Sequence, residues 1–309
     1  MQANREAYGN ALVELYKTNK NIVVLDADLA KATYTEIFHK AHPEAFVDCG
    51  IAEQNMMGVA AGMSTCGLIP FVSTFAVFAS IRAGEQFRNS VCSPHLNVKV
   101  VATHAGIECG ADGATHQALE DVALMRAMPG NHVFVPADAM STKKLVFKMA
   151  EIDGPCYMRV GRDKMPEIYD DSAKFVEGGS NLLKSGTDVA ILAMGSRVKA
   201  ALDAAEALKE QGISASVYDM YSLKPIDVNA IREASKCGLI ITCEDHNIIG
   251  GLGSAVCETV CAEGLNCKVV RLGVNDSFGR SGPASELYKI YHIDTDDIIN
   301  AAIVNVQDK

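Results

Sequence analysis

Apolar, β-branched runs alternate with helix-period patterns along most of the chain. Residues 21–25, 69–72, 98–103 and 132–136 are short apolar runs, the pattern of strands buried on both faces. Residues 5–17, 52–66, 117–126 and 141–152 carry apolar positions at helical spacing. Asp138 or Ser141 stands where the last of these helices needs a cap. Strands joined by helical crossovers lie parallel, so this alternation predicts a parallel α/β domain. After Arg162 the pattern breaks. Residues 163–186 are polar and interrupted by Pro166, Gly178, Gly179 and Gly186, which is linker composition. A second alternation follows, with strands expected at 189–193, 215–218, 239–243 and 268–272. Its helices are expected at 198–211, 227–237 and 252–263. The predicted division is an α/β domain over residues 1–165, a linker over 166–187 and a second α/β domain over 188–309, both of ordinary domain size.

Composition narrows the possible functions. The chain has 309 residues, of which 49% are hydrophobic and 21% charged, enough for a sizeable core and unlike a disordered chain. The formal net charge is −10 with no basic cluster, which argues against a nucleic-acid partner. An anionic small substrate stays open, because a few local Arg and His side chains outweigh a distant global field. No apolar run reaches the length of a membrane span, and the start of the chain, Met1-Gln2-Ala3-Asn4-Arg5-Glu6, lacks a signal-peptide core. The ten Cys are scattered without a Cys-x-x-Cys pair, and Cys257 and Cys261 sit one helical turn apart, as packing residues do. Reduced thiols in a cytoplasmic protein, with no zinc site, are the expectation.

Four groups of residues carry candidate chemistry. Glu53 follows Gly50 at the start of the 52–66 helix; a carboxylate there is also what a helix dipole favours. Phe75 and Phe78 offer a flat apolar platform, or an ordinary core pair. Residues 103–117 follow a strand and are too Gly-rich for a continuous helix, so they read as a functional loop bearing His104, Asp112 and His116. Arg5 and Arg162 suit an anion, because a planar guanidinium gives bidentate, charge-assisted bonds. Separately, each of these has a bland alternative as a surface ion pair, a solvated loop acid or a capped turn.

Together, these segments resemble the pyrimidine-binding domain of transketolases, enzymes that use thiamine diphosphate, and the resemblance covers nearly the whole chain. It implies that Glu53 is the acid that hydrogen-bonds a pyrimidine nitrogen, so that the ring's amino group deprotonates the thiazolium carbon. It implies that Phe75 and Phe78 hold the cofactor, with Phe78 as the stacking partner. Ile81 stands where the family carries a Tyr against the cofactor, so apolar contact is kept and a hydroxyl lost. His104, Arg5 and Arg162 align with residues that bind the substrate phosphate, Asp112 with one that recognises a sugar hydroxyl, and His116 with one near the donor's reacting oxygens. The spacing from Arg5 to Asp28 also matches. Ala32, followed by Thr33, replaces a phosphate-binding Ser.

Residues 243–253 resemble the family's C-terminal domain; a structural or subunit-contact role is expected for His246. The Gly-Asp-Gly and Asn-Asn stretches that hold Mg²⁺ and diphosphate in these enzymes have no match. The resemblance therefore implies the C-terminal subunit of a split transketolase. It would carry no metal ligands itself and would join an N-terminal partner, as an α2β2 assembly, to transfer a two-carbon ketol unit between sugar phosphates. The β subunit of a 2-oxo-acid dehydrogenase and deoxyxylulose-phosphate synthase share the domain order, but the Thr103-His104 pair favours transketolase. A non-catalytic regulatory or scaffold subunit is disfavoured by the retention of Glu53, both aromatics and the whole loop.

Overall fold

The structure, a computed structural model, describes residues 1–306. Its first half is built on a seven-stranded sheet. In spatial order the strands are Ser222–Lys224, His132–Phe134, Cys156–Arg159, Lys99–Thr103, Ile69–Phe75, Ile22–Asp26 and Phe46–Asp48. All pair in parallel except Ser222–Lys224, which adds antiparallel to the outer side of His132–Phe134. Every residue of Ile22–Asp26 and Lys99–Thr103 is buried, as expected of central strands covered on both faces. Alternate side chains feed two cores. Val23 and Leu25 join Val72, Val100 and Ala102 on one face, while Ile22 and Val24 join Phe71 and Val101 on the other.

The second half has a five-stranded sheet in the order Lys268–Val274, Leu239–Asn247, Val189–Ala193, Ala215–Asp219 and Asn181–Lys184. The first four strands are parallel and the last antiparallel. Helices Arg197–Glu210 and Thr295–Val306 cover one face through Val198, Ala201, Leu208, Ile298 and Ala302. The two halves share one apolar core, in which Val133, Val135 and Tyr157 lie in the same cluster as Leu192, Met194, Leu252 and Val256.

Two differences from the sequence-based expectation concern the segment after residue 117 and the linker. The helix expected from residue 117 starts at Asp121. Gln117 and Ala118 are used otherwise: the Gln117 amide donates to the carbonyls of Gly110 and Arg280 at 3.2 and 2.9 Å, and Ala118 bridges to Ala105. The expected linker contains the edge strand Asn181–Lys184. Its side chains are half-buried or exposed, so no apolar alternation marks it in the sequence.

The cap expected at Asp138 or Ser141 uses both. Asp138 Oδ1 accepts from the Ser141 N–H at 2.8 Å, and Ser141 Oγ accepts from the Asp138 N–H at 2.9 Å, a reciprocal capping box. Asp138 Oδ2 also accepts the N–H groups of Ile168 and Tyr169, at 2.8 and 2.9 Å, which pins the segment leaving the first sheet.

Candidate active site

In a doubly wound sheet, ligands bind beyond the carboxyl ends of the strands, where neighbouring connections leave in opposite directions. Here the chain leaves Ile22–Asp26 for Phe46–Asp48 on one side and then crosses to Ile69–Phe75 on the other. The candidate residues gather at that place. Glu53 is the first residue of helix Glu53–Thr65 and is 2% exposed. Phe75 ends its strand, and Phe78 opens the following helical turn. The two rings are parallel within 12° with centroids 5.8 Å apart. The edge of His116 meets both rings, at 6.1 and 5.5 Å.

His104 sits just past strand Lys99–Thr103 in a left-handed backbone conformation, φ 57°. Its ring stacks on Phe75 at 3.9 Å. One ring nitrogen, Nδ1, is 2.9 Å from Thr103 Oγ1, and the other, Nε2, is 3.4 Å from Arg5 Nη1. A guanidinium only donates, so Nε2 accepts and Nδ1–H donates to Thr103. Burial, reinforced by Arg5 and Arg162, pushes His104 down to about 3, so the ring is neutral at ordinary pH.

The cationic side of the site is held by backbone carbonyls. Arg5 Nε donates to the Arg162 carbonyl at 3.0 Å, and its Nη1 donates to the Ala32 carbonyl. Arg162 Nη1 donates to the Cys109 carbonyl at 2.7 Å and lies 3.6 Å from Asp112 Oδ2. A cleft of about 510 Å³ opens beside Arg162, bordered by Glu108, Asp163 and Ser285. Asp26 fixes the loop that carries Ala32. Its carboxylate accepts from Thr33 Oγ1 at 2.7 Å, Thr35 Oγ1 at 2.8 Å and the Leu29 N–H at 2.7 Å, and burial raises it to about 6. Asp28, also left-handed at φ 60°, donates its N–H to Asp48 Oδ1.

The structure thus brings Glu53, Phe75, Phe78, His104 and His116 together, with Arg5, Arg162 and Asp112 adjoining through His104 and the 103–117 loop. Ile81 is 52% exposed and offers open apolar surface at the rim. Among the described residues, no group of three or more His, Cys, Asp or Glu is placed to hold a metal ion.

Sequence reasoning missed two parts of the site. Arg82 Nη1 donates to both oxygens of Glu53, at 2.8 and 3.0 Å. The four-residue spacing from Phe78 to Arg82 was the available signal, since it sets both on one helical face. The second part is the support given by the other half of the chain. Asp245 accepts the N–H groups of Ile107 and Glu108, at 2.8 and 3.2 Å. Gly106 is held at φ 76° directly against that carboxylate, where any Cβ would collide with it. Arg159 donates to Asp121 through Nε at 3.0 Å and to the carbonyls of Ala118 and Asp245 at 3.1 and 2.6 Å. Contacts between residues this far apart leave no local pattern.

The glycine-rich turn at 250–253 already holds a carboxyl group of the chain itself. Glu244 accepts the N–H groups of Leu252 and Gly253 at the start of helix Leu252–Ala262, at 2.7 and 2.8 Å, and burial pushes its carboxyl up to about 7. His246 is fully enclosed beside it, with Nδ1 2.7 Å from the Asn247 carbonyl, so its role is internal packing rather than a subunit contact.

Fold and site together define a two-domain α/β protein with a buried acid, a paired aromatic platform and an adjoining cationic loop at one switch point. Comparison with known proteins is specific. Residues 1–167 match the family described as transketolase, pyrimidine binding domain, and residues 178–298 match transketolase, C-terminal domain. The chain is 49% identical over 296 residues to a putative transketolase C-terminal section of Methanocaldococcus jannaschii, covering 95% of this chain and 93% of that one. It is 39% identical over 304 residues to human transketolase, covering 97% of this chain and 48% of that protein. A solved split-gene transketolase, described as an inactive β4 tetramer, superposes with a TM-score of 0.93 at 52% identity and 99% coverage of both chains. The chain belongs to the transketolase family. It spans about half the length of its human relative.

Proposed function

We propose that this chain is the C-terminal subunit of a two-chain transketolase. It supplies the pyrimidine side of a thiamine diphosphate site and much of the pocket for a phosphorylated sugar. The observation that carries this reading is Glu53, a buried carboxyl placed beside the stacked Phe75 and Phe78 at the switch point of a parallel sheet. An acid and an aromatic face are what an aminopyrimidine needs, so the residues fit the group. When bound, the cofactor supplies the carbanion that carries the two-carbon unit.

The chain's own residues bind and orient. Glu53 holds a ring nitrogen, and Phe78 supports the ring. His116 stands over the aromatic pair, within reach of a donor's oxygens. Neutral His104, Arg5 and Arg162 bind the anionic end of the sugar, and Asp112 takes a hydroxyl. Mg²⁺ and the diphosphate belong to a partner chain. Two copies of each chain would form two sites related by two-fold symmetry. Pentose-phosphate-type sugars and a cytoplasmic location complete the reading.

Titration calorimetry tests it. Thiamine diphosphate with Mg²⁺ should show no micromolar binding to this chain alone and should bind once the partner is added, with ketol transfer appearing only in the mixture. Micromolar binding and activity from this chain alone would overturn the proposal. In the reconstituted enzyme, Glu53→Gln should lower turnover by roughly 10²–10⁴, the scale of a lost general acid. Near-normal turnover would remove Glu53 from its role.

A further inference from the structure

Arg82 occupies the place the preceding reading gives to the cofactor. Its guanidinium lies 4.3 Å from the centroid of the Phe78 ring. The same group gives both oxygens of Glu53 a hydrogen bond, at 2.8 and 3.0 Å. A planar cation on an aromatic face, bonded to a buried carboxyl, makes the two contacts an aminopyrimidine would make. A ring seated on Phe78 and bonded to Glu53 needs the volume that the guanidinium fills. On that face of the ring the two would exclude each other.

The local backbone permits exchange. Arg82 closes the turn Phe78–Arg82, which is widened so that the Ala83 N–H donates to the Phe78 carbonyl, five residues back, at 2.9 Å. The Arg82 side chain is 47% exposed while Glu53 is 2% exposed, so the arginine reaches the acid from the solvent side and has room to withdraw. Among the described residues, this guanidinium contacts Glu53 and the Phe78 ring.

We propose that Arg82 is a placeholder for the pyrimidine. In the free chain it satisfies a buried carboxyl that would otherwise be unpaired, and it covers the aromatic face. On cofactor entry it swings outward and gives up both contacts. The placeholder stabilises the free subunit and weakens cofactor binding by the same interactions, so removing it should have opposite effects on the two. This inference rests on the thiamine diphosphate reading, and the experiment separates the two.

The probe is the cofactor's aminopyrimidine half alone, 4-amino-5-hydroxymethyl-2-methylpyrimidine, titrated by NMR into the full chain. Arg82→Ala and Arg82→Gln should each tighten its binding roughly tenfold, the scale of one cation–π contact and one half-exposed ion pair. Both variants should also melt at a lower temperature than the parent chain without ligand. Adding Glu53→Gln or Phe78→Ala to Arg82→Ala should abolish the gain. Equal or weaker binding in both arginine variants, with Phe78→Ala still weakening binding, would overturn the placeholder and leave the cofactor site standing. Binding that ignores Glu53 and Phe78 in every background would overturn both. Undetectable binding by the arginine variants counts against the placeholder as well.

Discussion

Asp219 shows how a single buried group contributes to the chain's response to pH. It is wholly enclosed; Oδ2 accepts from the Tyr169 hydroxyl at 2.7 Å, while Oδ1 lacks a hydrogen-bond partner. Burial, with Asp138 adding to it, pushes its carboxyl from 3.8 to about 8. Between those values the folded chain keeps a proton that the unfolded chain has released, so this group's contribution to stability falls as pH rises from about 4 to about 8. Asp219→Asn keeps the shape without the titration. Thermal melts at several pH values should show the variant gaining on the parent as pH rises through this window; parallel curves would refute the assignment. His104 and His246, pushed down to about 3 and about 4 by burial, act in the opposite sense and favour the fold as pH rises toward 6.5. At this scale the sequence was most informative where chemistry and motif coincide. Glu53, Phe75, Phe78, His104 and His116 were legible and meet in space. Arg82 was not, because an arginine four residues after a phenylalanine is also what a solvated helix shows.

Among elements, helix Ala139–Glu151 illustrates how a local signal extends its reach. Asp138 begins the helix and also anchors the backbone of Ile168 and Tyr169. Asp138→Ala therefore removes a cap and leaves two further N–H groups without their acceptor. Urea denaturation should show a loss of roughly 2–3 kcal/mol, above the ~1 kcal/mol typical of a cap alone. A loss of no more than ~1 kcal/mol would mean that water replaces the anchor. Strands with long apolar runs were plain in the sequence. Cys156–Arg159 was not, since its four residues include a Tyr and an Arg whose polar ends both go to Asp121. Such a strand is central and fully buried, yet it is short and carries no β-branched residue.

For the molecule as a whole, a polar bridge accompanies the apolar core that the two halves share. Arg159 joins Asp121, in the first half, to the backbone of Asp245, in the second, and all three are buried. Arg159→Met would strand the Asp121 charge in the interior and should cost about 3–5 kcal/mol by chemical denaturation. Adding Asp121→Asn removes that charge and should recover part of the loss; a double variant no better than the single would refute this account. None of this coupling was visible in the alternation of strands and helices, which described two units and not what joins them.

The short strand Ser222–Lys224 belongs by sequence to the second half and by hydrogen bonding to the first sheet. It covers what would otherwise be the bare margin of His132–Phe134. A chain cut after the first half would leave that margin open, with unpaired N–H and C=O groups lying next to apolar side chains. Such margins recruit other chains. A fragment of residues 1–177 should therefore self-associate on light scattering at concentrations where the whole chain shows no progressive growth in particle size.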